Sequence, residues 1–321
     1  MRDRLRISPQ LYATVALVAL AALALIVLTG AAVRITGSGL GCPDWPKCYG
    51  GTVPPLETHA VIEYGNRLLT GFVGIAVIAA SALAWFRRPF RWHLALFGAL
   101  LPLGVVCQAI LGALVVKYHL APGLVMGHFI LSMLLLDAAF ALAWCARYEP
   151  GERRASSDRL GVWAVRGLIP LGQLTILAGT IATGSGPHAG AHEGELVHRF
   201  DFEGTGTLEW VVQRHSAIAA VFGLAAIAVW LLLRRPGGDN RALRPLSAVI
   251  GLLALQGAVG GLQWALELPP EIVWLHVALA TVTWLAMLWT VATAGRLGPR
   301  SGAAEEREIQ PDARAPALSQ S

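Results

Sequence analysis

CQAILGALVVKYHLAPGLVMGHFI, residues 107–130, lies without a gap over LQGAVGGLQWALELPPEIVWLHVA, residues 255–278. Gln108 matches Gln256, Gly112 matches Gly260, Pro122 matches Pro270 and His128 matches His276, each pair 148 positions apart. TGSG at 36–39 recurs at 183–186, and the run Asn66 to Gly74 lies over His215 to Gly223, at offsets of 147 and 149. Three anchors at nearly one spacing identify an internal duplication.

The repeated material is apolar. Of 321 residues, 55% are hydrophobic and 14% charged, and the mean hydropathy is +0.58. The apolar residues come in runs of about 20, the length that crosses a bilayer. The spans fall at roughly 11–33, 61–86, 92–116, 122–146, 162–182, 208–233, 245–266 and 271–293. Four spans per copy give both copies the same orientation. The predicted fold is therefore all-α: eight transmembrane helices arranged as two tandem, similarly oriented four-helix bundles. The bundles cover 1–146 and 162–295, separated by a polar linker at 147–161 and followed by a disordered tail at 296–321. About 23 apolar residues precede Arg34 with no convincing cleavage site, so the first span is expected to stay as a helix.

Basic residues set the expected orientation. Arg2, Arg4 and Arg6, then Arg87, Arg88 and Arg91, then Arg147, Arg153, Arg154 and Arg159, then Arg234, Arg235, Arg241 and Arg244 mark one side as cytoplasmic, both termini included. The 183–207 loop on the opposite side carries Glu193, Glu195, Asp201 and Glu203. The net charge of +5 thus reflects topology in a cell membrane, and no basic stripe interleaved with aromatics suggests nucleic-acid binding. Cys42 and Cys48 fall in the first external loop, where an oxidising setting favours a disulfide, with two free thiols or a transient redox pair as alternatives. Cys107 and Cys145 lie inside spans and are expected to be reduced packing residues.

Most of the nine histidines sit at span edges: His59, His93, His119, His188, His192 and His198 read as solvated or interfacial. His215 and His276 differ. They lie at similar depth on spans that run the same way, so two neutral imidazoles can ligate both faces of one heme iron. In the first copy His128 matches His276, but Asn66 stands at the position of His215. Glu63 and Arg67 flank it, four apart on one helix face, where the repeat has Val212 and Ser216. A bis-histidine iron only passes electrons, whereas one with a single strong ligand beside a carboxylate can support chemistry. A redox heme is thus expected in the second copy and a reacting heme in the first. Arg34, Arg67 and Arg214 lie at the external edge, where propionates would find partners. Asp137, nine residues beyond His128 and about 13 Å deeper, suits either a proton path or a hydrogen bond to a neighbouring helix.

VRITGSGLGCPDWPKCYG at 33–50, IEYGNR at 62–67, His128, His215 and His276 give the chain a close resemblance to the heme A synthase family. The resemblance implies oxidation of a ring methyl of heme O to a formyl group through successive hydroxylations, for terminal oxidase assembly. It also implies a heme b held by His215 and His276, a substrate heme in the first bundle with His128 as iron ligand beside Asn66, Arg67 and Arg34, Glu63 as the catalytic glutamate, and Cys42 with Cys48 as the external cysteine pair. Asn66 departs from the histidine of many members. Implied partners are an electron donor, heme O synthase and oxidase assembly proteins, with a homo-oligomer left open. The rival readings are a bis-heme membrane cytochrome b for electron transfer or heme storage, and a transporter, whose site would lie near the midplane.

Overall fold

The computed structural model describes residues 6–191 and 197–297. The tail beyond 297, Arg2 and Arg4, and His192, Glu193 and Glu195 lie outside the described residues. The chain forms α1 (Pro9–Ile35), α2 (Thr58–Phe86), α3 (Trp92–Lys117), α4 (Pro122–Arg147), α5 (Arg159–Ser185), α6 (Thr207–Leu233), α7 (Leu243–Ala265) and α8 (Pro270–Ala294). All eight are long and apolar enough to cross a membrane, and no strand occurs among the described residues. The protein is a multi-pass membrane protein.

Local chemistry explains the helix ends. Ser8 accepts a hydrogen bond from the Leu11 amide at 3.2 Å, and Pro9 occupies the first turn of α1. α4 and α8 both open on proline, Pro122 and Pro270. The tight turns before them also match. His119 and Leu120 have φ of 47° and 57°, and Glu267 and Leu268 have 62° and 65°. In each turn the second residue's amide reaches back five residues, Leu120 to the Val115 carbonyl at 2.8 Å and Leu268 to Gln263 at 2.7 Å. Left-handed backbone costs a non-glycine residue about 1–2 kcal/mol, so the duplication extends to an uncommon backbone turn.

In the first half, α1 and α3 each pack against both α2 and α4. In the second, α5 and α7 each pack against both α6 and α8. That leaves α2 and α4 on one diagonal and α6 and α8 on the other. Buried residues recur at helical spacing, as in Tyr12, Ala16, Ala19, Leu23 and Val27 of α1. Leu17, Leu25, Phe72, Ile75 and Leu224 point outward. Helices apolar on every side suit a setting in which lipid and protein interior are equally apolar. Small residues let backbones approach: a Cβ on Gly98 would stand 3.2 Å from the Cα of Ser81.

The halves meet where α1 touches α8 and where α4 touches α5 and α8. Polar ties cross this seam. Trp274 Nε1 donates to the Leu28 carbonyl at 3.0 Å, and Trp284 Nε1 donates to Asp137 Oδ1 at 2.6 Å. Of the two roles open to Asp137, the structure displays the hydrogen bond to a neighbouring helix. At the Cys42–Cys48 end, Arg34 Nη2 donates to the Thr183 carbonyl at 2.7 Å, and the Gly39 amide to Gly190 at 2.7 Å. The α5–α6 loop therefore reaches over the first half.

The opposite end is closed by ion pairs. The fully buried Arg87 bonds Glu149 and the Pro89 carbonyl. In the second half Asp158 accepts from the amides of Gly161 at 2.8 Å and Asp239 at 3.0 Å and pairs with Arg235. Asp239 pairs with Arg241 and accepts from Ser156 Oγ at 2.8 Å. The hydrogen bonds from Arg241 pull the Asp239 carboxyl down to about 2. Burial works against the charge on Asp158, but its amide and Arg235 hydrogen bonds outweigh that and hold the carboxyl below the usual aspartate value.

Cys107 and Cys145 are free thiols. Cys145 is half-buried, whereas Cys107 faces outward, which corrects its expected packing role. α3 buries the stripe of Leu94, Leu101 and Gly104, and position 107 falls beside that stripe.

Candidate functional site

His215 on α6 and His276 on α8 face each other across the diagonal of the second half, with ring centroids 6.4 Å apart and planes at 76°. Glycines admit both rings. A Cβ on Gly179 would lie 3.1 Å from His215 Cε1, and one on Gly260 would lie 3.3 Å from His276 Cε1. Nδ1 of each ring is buried without a hydrogen-bond partner. Orphaned polar atoms in an apolar core call for a ligand. Two imidazoles bound to one metal through nitrogens at about 2.0–2.1 Å each would have centroids roughly 6–6.5 Å apart, so the separation of this pair would suit two protein ligands to one heme iron.

The first half repeats part of this arrangement. His128 on α4 also has a buried, unpartnered Nδ1, and a Cβ on Gly112 would lie 3.5 Å from its Cε1. Gln108 of α3 donates from Nε2 to the His128 carbonyl at 3.0 Å and to Ser132 Oγ at 2.7 Å, and Ser132 donates to the same carbonyl at 2.9 Å. The backbone that carries the imidazole is thereby fixed. Across the diagonal, Asn66 offers Oδ1 to Thr29 Oγ1 at 2.8 Å.

One turn from Asn66 the halves part company. Glu63 is only 6% exposed, and both carboxylate oxygens are held. Oε2 accepts from the Cys42 amide at 2.7 Å, and Oε1 accepts from Arg67 Nη2 at 2.5 Å. Arg67 in turn donates Nη1 to the carbonyls of Asp44 and Lys47, both at 2.8 Å, and Nη2 to that of Cys42 at 3.5 Å. Cys42 and Cys48 form a disulfide. The backbone groups that secure the Glu63–Arg67 pair thus belong to the ring this bridge closes, with the Gly41 amide just before it as a further partner of Glu63. A carboxylate gripped by two donors in an apolar setting is oriented, and it can stabilise a developing positive charge or take a proton at a fixed point.

Sequence reasoning missed these backbone partners, because carbonyls and amides leave no residue-type signal. It also missed Gln108 as a support for His128, although the Gln108–Gln256 repeat pair was a usable sign. The three arginines expected at the propionate edge are engaged elsewhere in this structure: Arg67 by the Cys loop, Arg34 by Thr183, and Arg214 by the Trp210 carbonyl at 2.9 Å. His59 pairs with Ser38 Oγ at 2.9 Å, and His188 Nε2 lies 2.7 Å from the Leu268 carbonyl.

The fold and its paired sites define a duplicated eight-helix membrane protein with imidazoles set inside each half. A family model for the cytochrome oxidase assembly proteins COX15-CtaA matches residues 13–61 and 57–192, more than half of the chain, and the chain belongs to this family. The heme A synthase of Lysinibacillus sphaericus is 32% identical over 121 residues, 37% of this chain and 39% of that protein. That of Bacillus pumilus is 34% identical over 122 residues, again 37% and 39%. A protoheme IX farnesyltransferase of Thermus thermophilus is 29% identical over 293 residues, 86% of this chain and 47% of that protein. The chain spans about half or less of the length of these curated relatives.

Proposed function

We propose that this protein is a heme A synthase, an oxidoreductase that converts a ring methyl of heme O to a formyl group through successive hydroxylations. The observation that carries the reading is the asymmetry between matched sites: a facing His215–His276 pair in one half, and a single imidazole, His128, with a clamped carboxylate, Glu63, in the other. His215 and His276 hold the iron of a heme b, which supplies one-electron transfer when bound.

In the first half, His128 is the protein ligand to the substrate heme iron. Asn66 lines the facing side of the substrate site without saturating the metal. Glu63 is the catalytic carboxylate, holding or accepting a proton at its oxygens and stabilising positive charge beside the reacting methyl. Arg67 positions it through the Cys42–Cys48 loop, which also covers the site against water. Arg34 and Arg67 are the cations available to the substrate's propionates when that loop shifts. The loop faces the external side and both termini face the cytoplasm, as the basic loops indicate. The similarity of most of this chain to a segment of a protein named for protoheme farnesylation supports receipt of heme O from the enzyme that makes it. With dioxygen as the oxidant, each hydroxylation places one oxygen atom in a C–H bond of the methyl group while two electrons from an external donor and two protons reduce the other atom to water. Loss of water from the doubly hydroxylated carbon leaves the formyl group.

Extraction and chromatography of hemes from cells expressing the protein with a heme O source tests this reading. Heme A, or a hydroxylated heme O, is the expected new pigment relative to a vector control. Heme b alone, with heme O untouched, would replace the reading by an electron-transfer or storage cytochrome.

A further inference from the structure

His59, Glu63 and Arg67 stand four apart at the start of α2, on one helix face, and the chain that leaves α1 lies along that face. The proposed chemistry uses Glu63 and Arg67 but not His59. His59 Nδ1 and Ser38 Oγ are 2.9 Å apart, and Ser38 is fully buried. The Ser38 amide donates to the Val33 carbonyl at 2.8 Å, and Ser38 Oγ lies 2.8 Å from Thr36 Oγ1. Ser38 is therefore anchored to the end of α1, and its hydrogen bond with His59 ties that end to the first turn of α2.

The segment from Ser38 to Cys42 has little freedom. The Gly41 amide donates to the Ser38 carbonyl at 3.2 Å, and a Cβ on Gly41 would stand 2.3 Å from the His59 carbonyl oxygen and 2.8 Å from the Ala60 nitrogen. A backbone pressed this closely on α2 admits only glycine. The Cys42 amide that follows is the donor to Glu63 Oε2 at 2.7 Å, with the Gly41 amide as a further partner. The Ser38–His59 bond thus secures one end of a short segment whose other end orients the carboxylate.

The second half shows the contrast. Ser38 recurs as Ser185, and His59 falls on Leu208 at the offset of 149. Ser185 Oγ donates to the Ile181 carbonyl of its own helix at 3.0 Å, and a Cβ on Gly186 would meet Leu208 at 3.7 Å, an ordinary apolar contact. The half that has Val212 in place of Glu63 also has leucine in place of the tying imidazole.

We propose that His59 is a positioning residue for the oxidation: through Ser38 it fixes the Gly41 and Cys42 amides that orient Glu63. The proposal rests on the catalytic role given to Glu63 above, and its test separates the two.

The test combines amide hydrogen exchange with kinetics on the full chain in lipid nanodiscs. His59→Ala should make the Gly41 and Cys42 amides exchange about tenfold faster and lower kcat for heme A formation about tenfold. The apparent KM for heme O and the heme b content should not change. Ser38→Ala should reproduce both effects, and the double variant should be no worse than either single one. His59→Asn, whose amide can take the place of Nδ1, should restore both quantities toward wild type. Tyr64→Phe removes a different tie of the same loop to α2, the 2.6 Å bond from the Tyr64 hydroxyl to the Thr52 carbonyl, and should alter neither. Unchanged exchange in His59→Ala, additive losses in the double variant, failure of His59→Asn to rescue, or equal losses in Tyr64→Phe would overturn the proposal. If His59→Ala does not fold, Ser38→Ala and His59→Asn carry the test. A wild type that makes no heme A would remove the catalytic reading of Glu63, and the exchange comparison would still decide whether His59 fixes its donors.

Discussion

At the end of α6 nearest the α5–α6 loop, His215 looks across the bundle at His276. At the same end of α2 the matching residue is Asn66, hydrogen-bonded to Thr29, so the imidazole opposite, His128, has no second imidazole at the position that His215 fills in the other half. One turn away the second half has Val212 and the first has Glu63, and the next residue is Ser216 in one and Arg67 in the other. The scaffold is shared down to the left-handed pairs His119–Leu120 and Glu267–Leu268. A duplicated bundle can thus keep its helices, turns and one imidazole while three side chains on one helix face change what the metal site can do. The covers differ as well: a disulfide-closed ring grips the first site, while the α5–α6 loop, which has no cysteine, reaches across to Gly39.

The sharpest way to break this comparison is Glu63→Ala. On the proposed reading it gives the first half the apolar character of the second at that turn. Heme A formation should fall by at least about a hundredfold, the scale of a lost acid–base group, while bound heme b persists. Pigment chromatography and the reduced-minus-oxidised spectrum read both quantities, and full activity would remove Glu63 from catalysis.

Replacing Cys42 and Cys48 together by serine leaves Glu63 in place but frees the ring that supplies its amide and the acceptors of Arg67. Activity should drop about tenfold through loss of orientation, again with heme b retained. Unchanged turnover would mean that the ring holds its shape without the bridge.

The glycines give a graded comparison. Gly179→Ala puts a Cβ 3.1 Å from the His215 ring, whereas Gly112→Ala puts one 3.5 Å from His128, an ordinary contact. Each substitution favours the helix by up to about 1 kcal/mol. Gly179→Ala should nevertheless lower the heme b content of purified protein several-fold, and Gly112→Ala should leave it unchanged. Equal heme content in both variants would show that the second site yields to the added methyl group.

The smallest effect lies at the opposite end. Asp239 titrates near 2 in the folded protein, below its unfolded value. Its pairing with Arg241 therefore stabilises the fold fully above about pH 4 and is lost as pH falls from there through about 2. Thermal unfolding in detergent should show a steeper decline of midpoint across that window for wild type than for Asp239→Asn. Parallel curves would mean that the pair contributes nothing to stability.

Much of this was legible in the residues. Hydropathy runs located every helix to within a few positions, because a bilayer admits little else than a helix of fixed length. The 148-residue offset of Gln108, Gly112, Pro122 and His128 from their partners placed matched imidazoles in both halves. Residue types alone could not reveal interactions made by backbone. The Asp44 and Lys47 carbonyls that hold Arg67 are invisible to any side-chain pattern, as is the Gly39–Gly190 tie between halves. Nor could they choose between the roles open to Asp137 or seat Arg214 on Trp210, since both depend on which helices become neighbours. The cysteine pair was readable only as a set of alternatives, and the structure shows it bridged.

The division of labour between the halves is most directly tested by heme stoichiometry. Wild type, His276→Ala and His128→Ala should be purified from cells that make heme b but no heme O, and examined by absorption and electron paramagnetic resonance. The account predicts one low-spin, bis-imidazole b-type heme per chain in wild type and in His128→Ala, and its loss in His276→Ala. A signal that survives in His276→Ala, or disappears in His128→Ala, would contradict it.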